Sequence, residues 1–160
     1  IPDEAIVTGF DRFEGVKRRF TRVGEVHGAT IVDDYAHHPE EIRAAHEAVR
    51  AMHPGKEVLV IFQPHLFSRT RDFAEDFAAS LDLFDQVRLL DIYPAREEAM
   101  EGITSAWLMD KLQNKNKKLI DKASLVTEIR DSGAPVVMML GAGDIGEEVE
   151  KITKTFSYEN

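Results

Sequence analysis

Two unbroken apolar runs, Val58–Phe62 and Val136–Leu140, constrain this chain more than any other feature. Each is five residues long and presents no polar face. That suits a strand covered on both sides, as in the middle of a parallel sheet between two helix layers. The cover can be found in the same sequence. Ile42, Ala45, Val49 and Met52 recur at steps of three, four and three, and Phe73, Phe77, Leu81 and Phe84 at four, four and three. Each set forms one apolar stripe along a helix. Ile145, Val149, Ile152 and Phe156 keep the same period near the end of the chain. Weaker segments fill the intervals: a strand at 86–92, a helix at 105–112 with Trp107 partly buried, a short edge strand at 119–120 and a helix at 122–130. Upstream, Thr21–Val26, a turn at 27–29 and a return strand at 30–33 predict a hairpin, although the alternation of the first strand is imperfect. The sum is a mostly parallel α/β sheet with helices on both faces, entered through an N-terminal β-hairpin.

The totals set limits on function. A chain of 160 residues fits one domain with a core large enough to fold without staples. It has no cysteine, which excludes disulfides, thiolate metal sites and a cysteine nucleophile. Lys and Arg number 20 against 29 Asp and Glu, a net charge of −9, so nucleic acid is not expected as a partner of the whole surface. Local basic spots remain at Arg18-Arg19 and at Arg69 and Arg71. The basic stretch 115–118 lacks interleaved aromatics and reads as a solvated turn. No apolar run approaches membrane-spanning length, and no membrane partner is expected. The chain opens on Ile1-Pro2 rather than Met, as a piece of a longer or processed product would. Residues 1–14 read as a lead-in anchored by Phe10 and Phe13, 15–156 as the domain and 157–160 as a frayed tail.

In a sheet of this kind the carboxyl ends of the strands share one edge, where helix starts also present free N–H groups. Residues 33–39, 63–72, 91–96 and 141–145 are therefore predicted to line one rim. Pro39 fits the first helical position, with His38 at the cap and Glu40 and Glu41 in the first turn. Ser68 or Thr70 is expected to cap the next helix. The rim offers Asp33, Asp34, His37, His38, His65, Arg69, Arg71, Asp91 and Asp144. A hydrolase needs a base beside a nucleophile, but Ser68 has no Gly-x-Ser-x-Gly elbow around it. Imidazoles and carboxylates can hold a transition metal, yet adjacent His37 and His38 share ligation poorly in a turn, so no metal ligand is assigned. Anion and nucleotide recognition fits the set best. Arginine offers a fixed donor fork to phosphate or carboxylate, an acid accepts ribose hydroxyls, and an aromatic ring lies against a base. Gly141-Ala142-Gly143-Asp144 has the wrong spacing and place for a dinucleotide fingerprint and reads as a tight turn. No Gly-x-x-x-x-Gly-Lys-Ser/Thr loop occurs, so ATP hydrolysis within these residues alone is not expected.

Four segments carry a resemblance: Gly15-Val16-Lys17-Arg18-Arg19-Phe20; Asp33-Asp34-Tyr35-Ala36-His37-His38-Pro39-Glu40-Glu41; Phe62-Gln63-Pro64-His65 with Ser68-Arg69-Thr70-Arg71-Asp72; and Leu140-Gly141-Ala142-Gly143-Asp144-Ile145. Together they resemble the C-terminal domain of the Mur ligases, over most of the chain. The match is nearest the branch that adds L-alanine to UDP-N-acetylmuramate, because the murein-tripeptide-recycling sibling lacks the Gln-Pro-His segment with its Ser/Thr-Arg-Thr. A recycling-ligase domain and a stand-alone nucleotide-binding or interaction module are the alternatives.

The resemblance implies a Rossmann-like fold and an ATP-dependent, amide-forming ligase of peptidoglycan synthesis, serving cell wall, shape and division in the bacterial cytoplasm. It implies two further domains of the same chain, one holding the UDP-sugar and a central one carrying the phosphate loop and most of the Mg2+ ligands. The isolated domain is expected to be inactive. Carried over by motif, His37 lies at the transferred phosphate and the incoming alanine, Arg69 holds the alanine carboxylate and His65 shapes that pocket. Arg19, with Arg18 as a further candidate, faces nucleotide phosphate or the domain interface, Asp34 accepts from the ribose and Tyr35 lies beside adenine. Asp33 and His38 orient the turn, with Arg71 and Asp144 as additional rim candidates. One departure stands out: better-known members carry arginine after the histidine of Gln-Pro-His, where this chain has Leu66.

Overall fold

Strands β1 (Thr21–Val26), β2 (Ala29–Asp34), β3 (Val58–Phe62), β4 (Gln86–Leu89), β5 (Lys117–Leu119) and β6 (Val136–Leu140) form one sheet in the order β1-β2-β6-β3-β4-β5. The computed structural model describes residues 18–158. The expected lead-in at 1–14, with Phe10 and Phe13, lies outside the described residues, as do 15–17 and 159–160. β1 and β2 pair antiparallel and every other pairing is parallel. His27 (φ 49) and Gly28 (φ 81) make the two-residue connection, whose paired positive φ values match the right-handed twist of a hairpin. A register shift between Arg22 and Gly24 accounts for the imperfect alternation of β1.

β3 and β6 lie side by side at the centre and every residue in both is buried, as their unbroken apolarity requires. Alternate residues serve two layers. Val60, Phe62, Met138 and Leu140 face one layer with Phe77 and Leu81, while Leu59, Ile61, Val137 and Met139 face the other with Ile129 and Val149. On the first face lie α1 (Pro39–Met52), α3 (Ala74–Leu81) and α4 (Ser105–Met109); on the second, α5 (Leu125–Ser132) and α6 (Ile145–Tyr158). A six-residue helix, α2 (Phe67–Asp72), precedes α3. Phe77 is fully buried, its ring 5.6 Å from that of Phe62; truncating it to alanine removes about 3 kcal/mol or more.

Several expected boundaries move. The stripe from Phe73 to Phe84 is not one helix. The chain breaks at Phe73 (φ −115, ψ 22), leaving that ring exposed, and the helix stops at Leu81, with Phe84 buried in the following turn. Met52, at the last helical position of α1, is 65% exposed because the core ends at Val49. β4 ends at Leu89 instead of continuing to 92, and α4 ends at Met109 where a helix to 112 was expected. Lys117 and Lys118 of the expected turn belong to edge strand β5, pairing with Val87 and Arg88. α6 takes in residues 157 and 158 of the expected tail, since no proline or glycine stops it there.

Candidate functional site

The strand ends meet as the topology demands. Gly141 N–H donates to the Asp34 carbonyl (3.2 Å), Gln63 N–H to Leu140 and Leu90 N–H to Phe62 (both 3.0 Å), and His65 pairs with Tyr93. Residues 33–39, 63–72, 91–96 and 141–145 therefore share one rim.

The two acids at the end of β2 first serve the fold. Asp33, 5% exposed, pairs with Arg18 at 3.1 Å, and the Arg18 guanidinium also donates to the Gly141 carbonyl at 2.7 Å. Burial pushes the Asp33 carboxyl up and outweighs the pull of Arg18. Asp34 accepts the N–H of Ala36 on one oxygen and that of Phe20 on the other, both at 2.8 Å. Burial pushes this carboxyl up as well, against those two bonds. Each oxygen keeps a second lone pair, so Asp34 can still accept from a ligand hydroxyl. Arg18 lies 5.1 Å over the ring of Tyr35, which stays 45% exposed. Arg18 is thereby a tie between two strand ends and a backing for Tyr35.

Arg19, Phe20, Asp34, Tyr35 and His37 border an open cleft of about 540 Å³ whose far wall is Ala44, Ala45 and Ala48 of α1. Three alanines leave that wall flat. The donor set fits a nucleoside phosphate: aromatic and alanine surfaces for a base, Asp34 for hydroxyls and Arg19 for phosphate. Among the described residues Arg19 makes no side-chain hydrogen bond or ion pair.

Beyond His37 the site turns cationic. The His37 ring lies 5.0 Å from His38 and 6.1 Å from His65. His37 Nδ1 is 2.8 Å from the Tyr35 carbonyl. A carbonyl only accepts, so Nδ1 carries the proton there and Nε2 is the ring nitrogen turned to the site. Arg69 Nη1 lies 3.2 Å from His65 Nδ1; a guanidinium only donates, so Nδ1 accepts. Burial, and then the charge of Arg69, push His65 and His38 below the usual imidazole range. These two rings are neutral at pH 7 around one cation. His65 is the single hydrogen-bond partner of the Arg69 side chain among the described residues, which leaves most of its donor fork for a carboxylate.

Other candidates lie apart or are occupied. Arg71 pairs with Asp72 at 2.8 Å on the exposed side of α2, away from the imidazoles. Asp144 accepts from Gln63 at 2.6 Å and from Lys122, and these bonds hold its carboxyl low although burial pushes it up. His38 takes the N-cap of α1, ahead of Pro39 as expected, without a side-chain cap bond. His37, His38 and Glu41 bring three ligand atoms within 4.8 Å of one another. Two imidazoles and one carboxylate suit a borderline-soft ion and not Mg2+, which prefers oxygen.

Three residues have duties at the site that the sequence reading did not assign, although Gln63 and Tyr93 lie in its predicted rim. Gln63, 2% exposed, donates to Asp144 and accepts the Ile145 N–H at 3.0 Å; a polar residue directly after a fully apolar strand was its available signal. Tyr93 stacks on His65, with centroids 5.6 Å apart. Glu97 accepts the Ser68 N–H at 3.1 Å and does the capping expected of Ser68 or Thr70; α2 has no side-chain cap from its N-cap residue Leu66, and the Thr70 hydroxyl donates back to the Leu66 carbonyl. No local pattern marks a cap supplied from so far along the chain.

The family model described as the Mur ligase, glutamate ligase domain matches residues 18–146. The chain belongs to that family. This Mur ligase domain is 62% identical over 147 residues to the UDP-N-acetylmuramate–L-alanine ligase of Christiangramia forsetii, covering 92% of this chain and 32% of that protein. It thus spans about a third of the length of the relative it matches. Among solved structures, the UDP-N-acetylmuramate–alanine ligase of Thermotoga maritima superposes with a TM-score of 0.70 at 24% identity, over 99% of this chain and 34% of that one. The bifunctional folylpolyglutamate synthase/dihydrofolate synthase of Yersinia pestis, complexed with AMPPNP and a Mn ion, superposes with a TM-score of 0.66 at 17% identity, over 99% and 34%. These likenesses show the Mur ligase C-terminal fold, an α/β sheet with helices on both faces behind an antiparallel hairpin. No helix among the described residues is long and apolar enough to cross a membrane.

Proposed function

We propose that residues 15–156 supply one side of a composite ATP and L-alanine site in a cytoplasmic bacterial ligase that joins L-alanine to UDP-N-acetylmuramate through an acyl phosphate. The observation that carries this reading is the pairing, on one rim, of the Arg19–Asp34–Tyr35 cleft with Arg69 and its neutral imidazoles. Support for the chemistry comes from the alanine-adding relative at 62% identity, and for the nucleotide from the AMPPNP-bound synthase of similar fold.

In this reading Tyr35 and the alanines of α1 hold the adenine, Asp34 accepts the ribose and Arg19 meets phosphate. Arg69 grips the alanine carboxylate with two parallel N–H bonds, and His65 keeps the fork in place. With its ring neutral, His37 takes at Nε2 the proton of the amine as the amine attacks the acyl phosphate carbon. The C–N bond forms, the C–O bond to phosphorus breaks and inorganic phosphate leaves. The central domain would hold most of the Mg2+ ligands, and the ion would screen phosphate charge. Closure against the UDP-sugar and central domains excludes water from the hydrolysable intermediate.

Arg69→Ala in the full-length enzyme should raise KM for L-alanine about a hundredfold, as loss of two charge-assisted bonds predicts, with KM for ATP unchanged. An unaltered alanine dependence sinks the assignment. Tight ATP binding by this domain alone, measured by calorimetry, would favour the stand-alone module. Preference of the intact enzyme for tripeptide over L-alanine would favour the recycling ligase.

A further inference from the structure

We propose that Tyr93 and Glu97, in the loop after β4, are positioning residues that clamp the turn bearing His65 and Arg69. The inference rests on the reading of Arg69 given above.

The turn cannot hold itself. α2 has six residues, too few for a helix to persist on its own. Its N-cap is Leu66, a non-glycine residue at φ 72 and ψ 136 without a side-chain cap bond. Such a backbone persists only where its surroundings over-determine it. The loop after β4 provides that constraint at four points. Leu66 N–H donates to the Tyr93 carbonyl (2.9 Å) and Tyr93 N–H to the Pro64 carbonyl (2.8 Å), which holds His65 from both sides and anchors the N–H of the strained residue. Glu97 accepts the Ser68 N–H, putting a carboxylate at the start of α2, where the helix dipole favours it. Its bonds to Ser68 keep that carboxyl low, so it is charged at neutral pH. The Tyr93 ring stacks on His65 at 22° between planes.

Tyr93 is in turn backed from behind. A Cβ at Gly143 would fall 2.6 Å from Tyr93 Cγ and 2.5 Å from Gln63 Oε1, so only glycine lets the turn after β6 press this closely on the ring. The line of contact runs Gly143, Tyr93, His65, Arg69. Neither Tyr93 nor Glu97 borders the nucleoside cleft. On this reading their effect on the alanine side of the site passes through the turn that bears His65 and Arg69.

The test uses the full-length enzyme. Glu97→Ala should raise KM for L-alanine about fivefold, the size of a lost helix cap, leaving KM for ATP and UDP-N-acetylmuramate unchanged. Glu97→Gln keeps an acceptor oxygen and should recover most of the loss. Tyr93→Ala should raise the alanine KM and move the NMR signal of the His65 ring, whereas Tyr93→Phe should do neither. Equal losses for all three substrates, or an alanine KM untouched by both alanine variants while Arg69→Ala raises it, would overturn the clamp and leave the reading of Arg69 standing. If Arg69→Ala leaves alanine dependence unaltered, the reading of Arg69 falls. The clamp is then decided by the His65 signal, which must still move in Tyr93→Ala. Where an alanine variant does not fold, Tyr93→Leu and Glu97→Thr carry the same comparison.

Discussion

Arg69 and Arg88 are the same side chain in opposite surroundings. Arg88, 8% exposed on β4, bonds Glu128 at 3.0 Å, Asn116 through both its carbonyl (3.2 Å) and its side chain (3.1 Å), the Val87 carbonyl at 3.0 Å and Gln86 at 3.4 Å. Glu128 also receives Lys118, and the two cations hold its carboxyl low although burial pushes it up. Arg69 has His65 and little else. A guanidinium whose donors are consumed internally is part of the frame; one with donors to spare is available to a ligand. Arg88 is buried and Arg69 only partly so, and the count of satisfied donors sets them further apart.

Glu128→Ala should break that contrast most visibly. It strands Arg88 in the interior and should cost about 3 kcal/mol in chemical denaturation, since removing one partner of a buried pair leaves an uncompensated charge. KM for alanine should not change in the full-length enzyme, and a large shift there would dissolve the distinction. Asp34→Ala should fall between the two classes. It frees the N–H groups of Phe20 and Ala36, lowering stability by about 1 kcal/mol, and it should also raise KM for ATP. A stability loss without any ATP effect would place Asp34 wholly in the frame. The smallest effect is electrostatic. Burial and Arg69 hold His65 below its usual pKa, so the folded protein binds that proton less tightly than the unfolded chain. The stability this imparts is present above the usual histidine range and is lost as pH falls through the lowered value. Arg69→Gln removes the neighbouring charge, and the His65 titration followed by NMR should shift to higher pH. A midpoint that stays put or falls would show that Arg69 does not act on the ring. Stability above that range should change by no more than about 0.5 kcal/mol, as for a surface substitution.

The fold was legible where its cause is local. Apolar runs at strand length placed β3 and β6, helical periods placed α1 and α6, and the shared rim followed from strand direction. Positions decided by distant partners were not legible. Nothing near Arg88 announces Glu128, forty residues on, and nothing near Ser68 announces Glu97. The break at Phe73 divides a stripe whose period is intact, because Leu66 sets the start of α2 and the core sets that of α3. At the site, residue types told more than residue duties. The acids, imidazoles and arginines of the rim were visible as a set, while the engagement of Asp33 by Arg18 and of Asp144 by Gln63 and Lys122 needed three dimensions.

The Arg18 tie has a mechanical consequence. Its side chain grips Asp33 and the Gly141 carbonyl, and its own carbonyl receives the Tyr35 N–H at 2.5 Å. Arg18 is thus stitched into the rim where β2 and β6 end. A pull on the backbone at this point loads the end of β2, Tyr35 and the turn after β6 together, so the place of Arg18 and the shape of the rim behave as one lever.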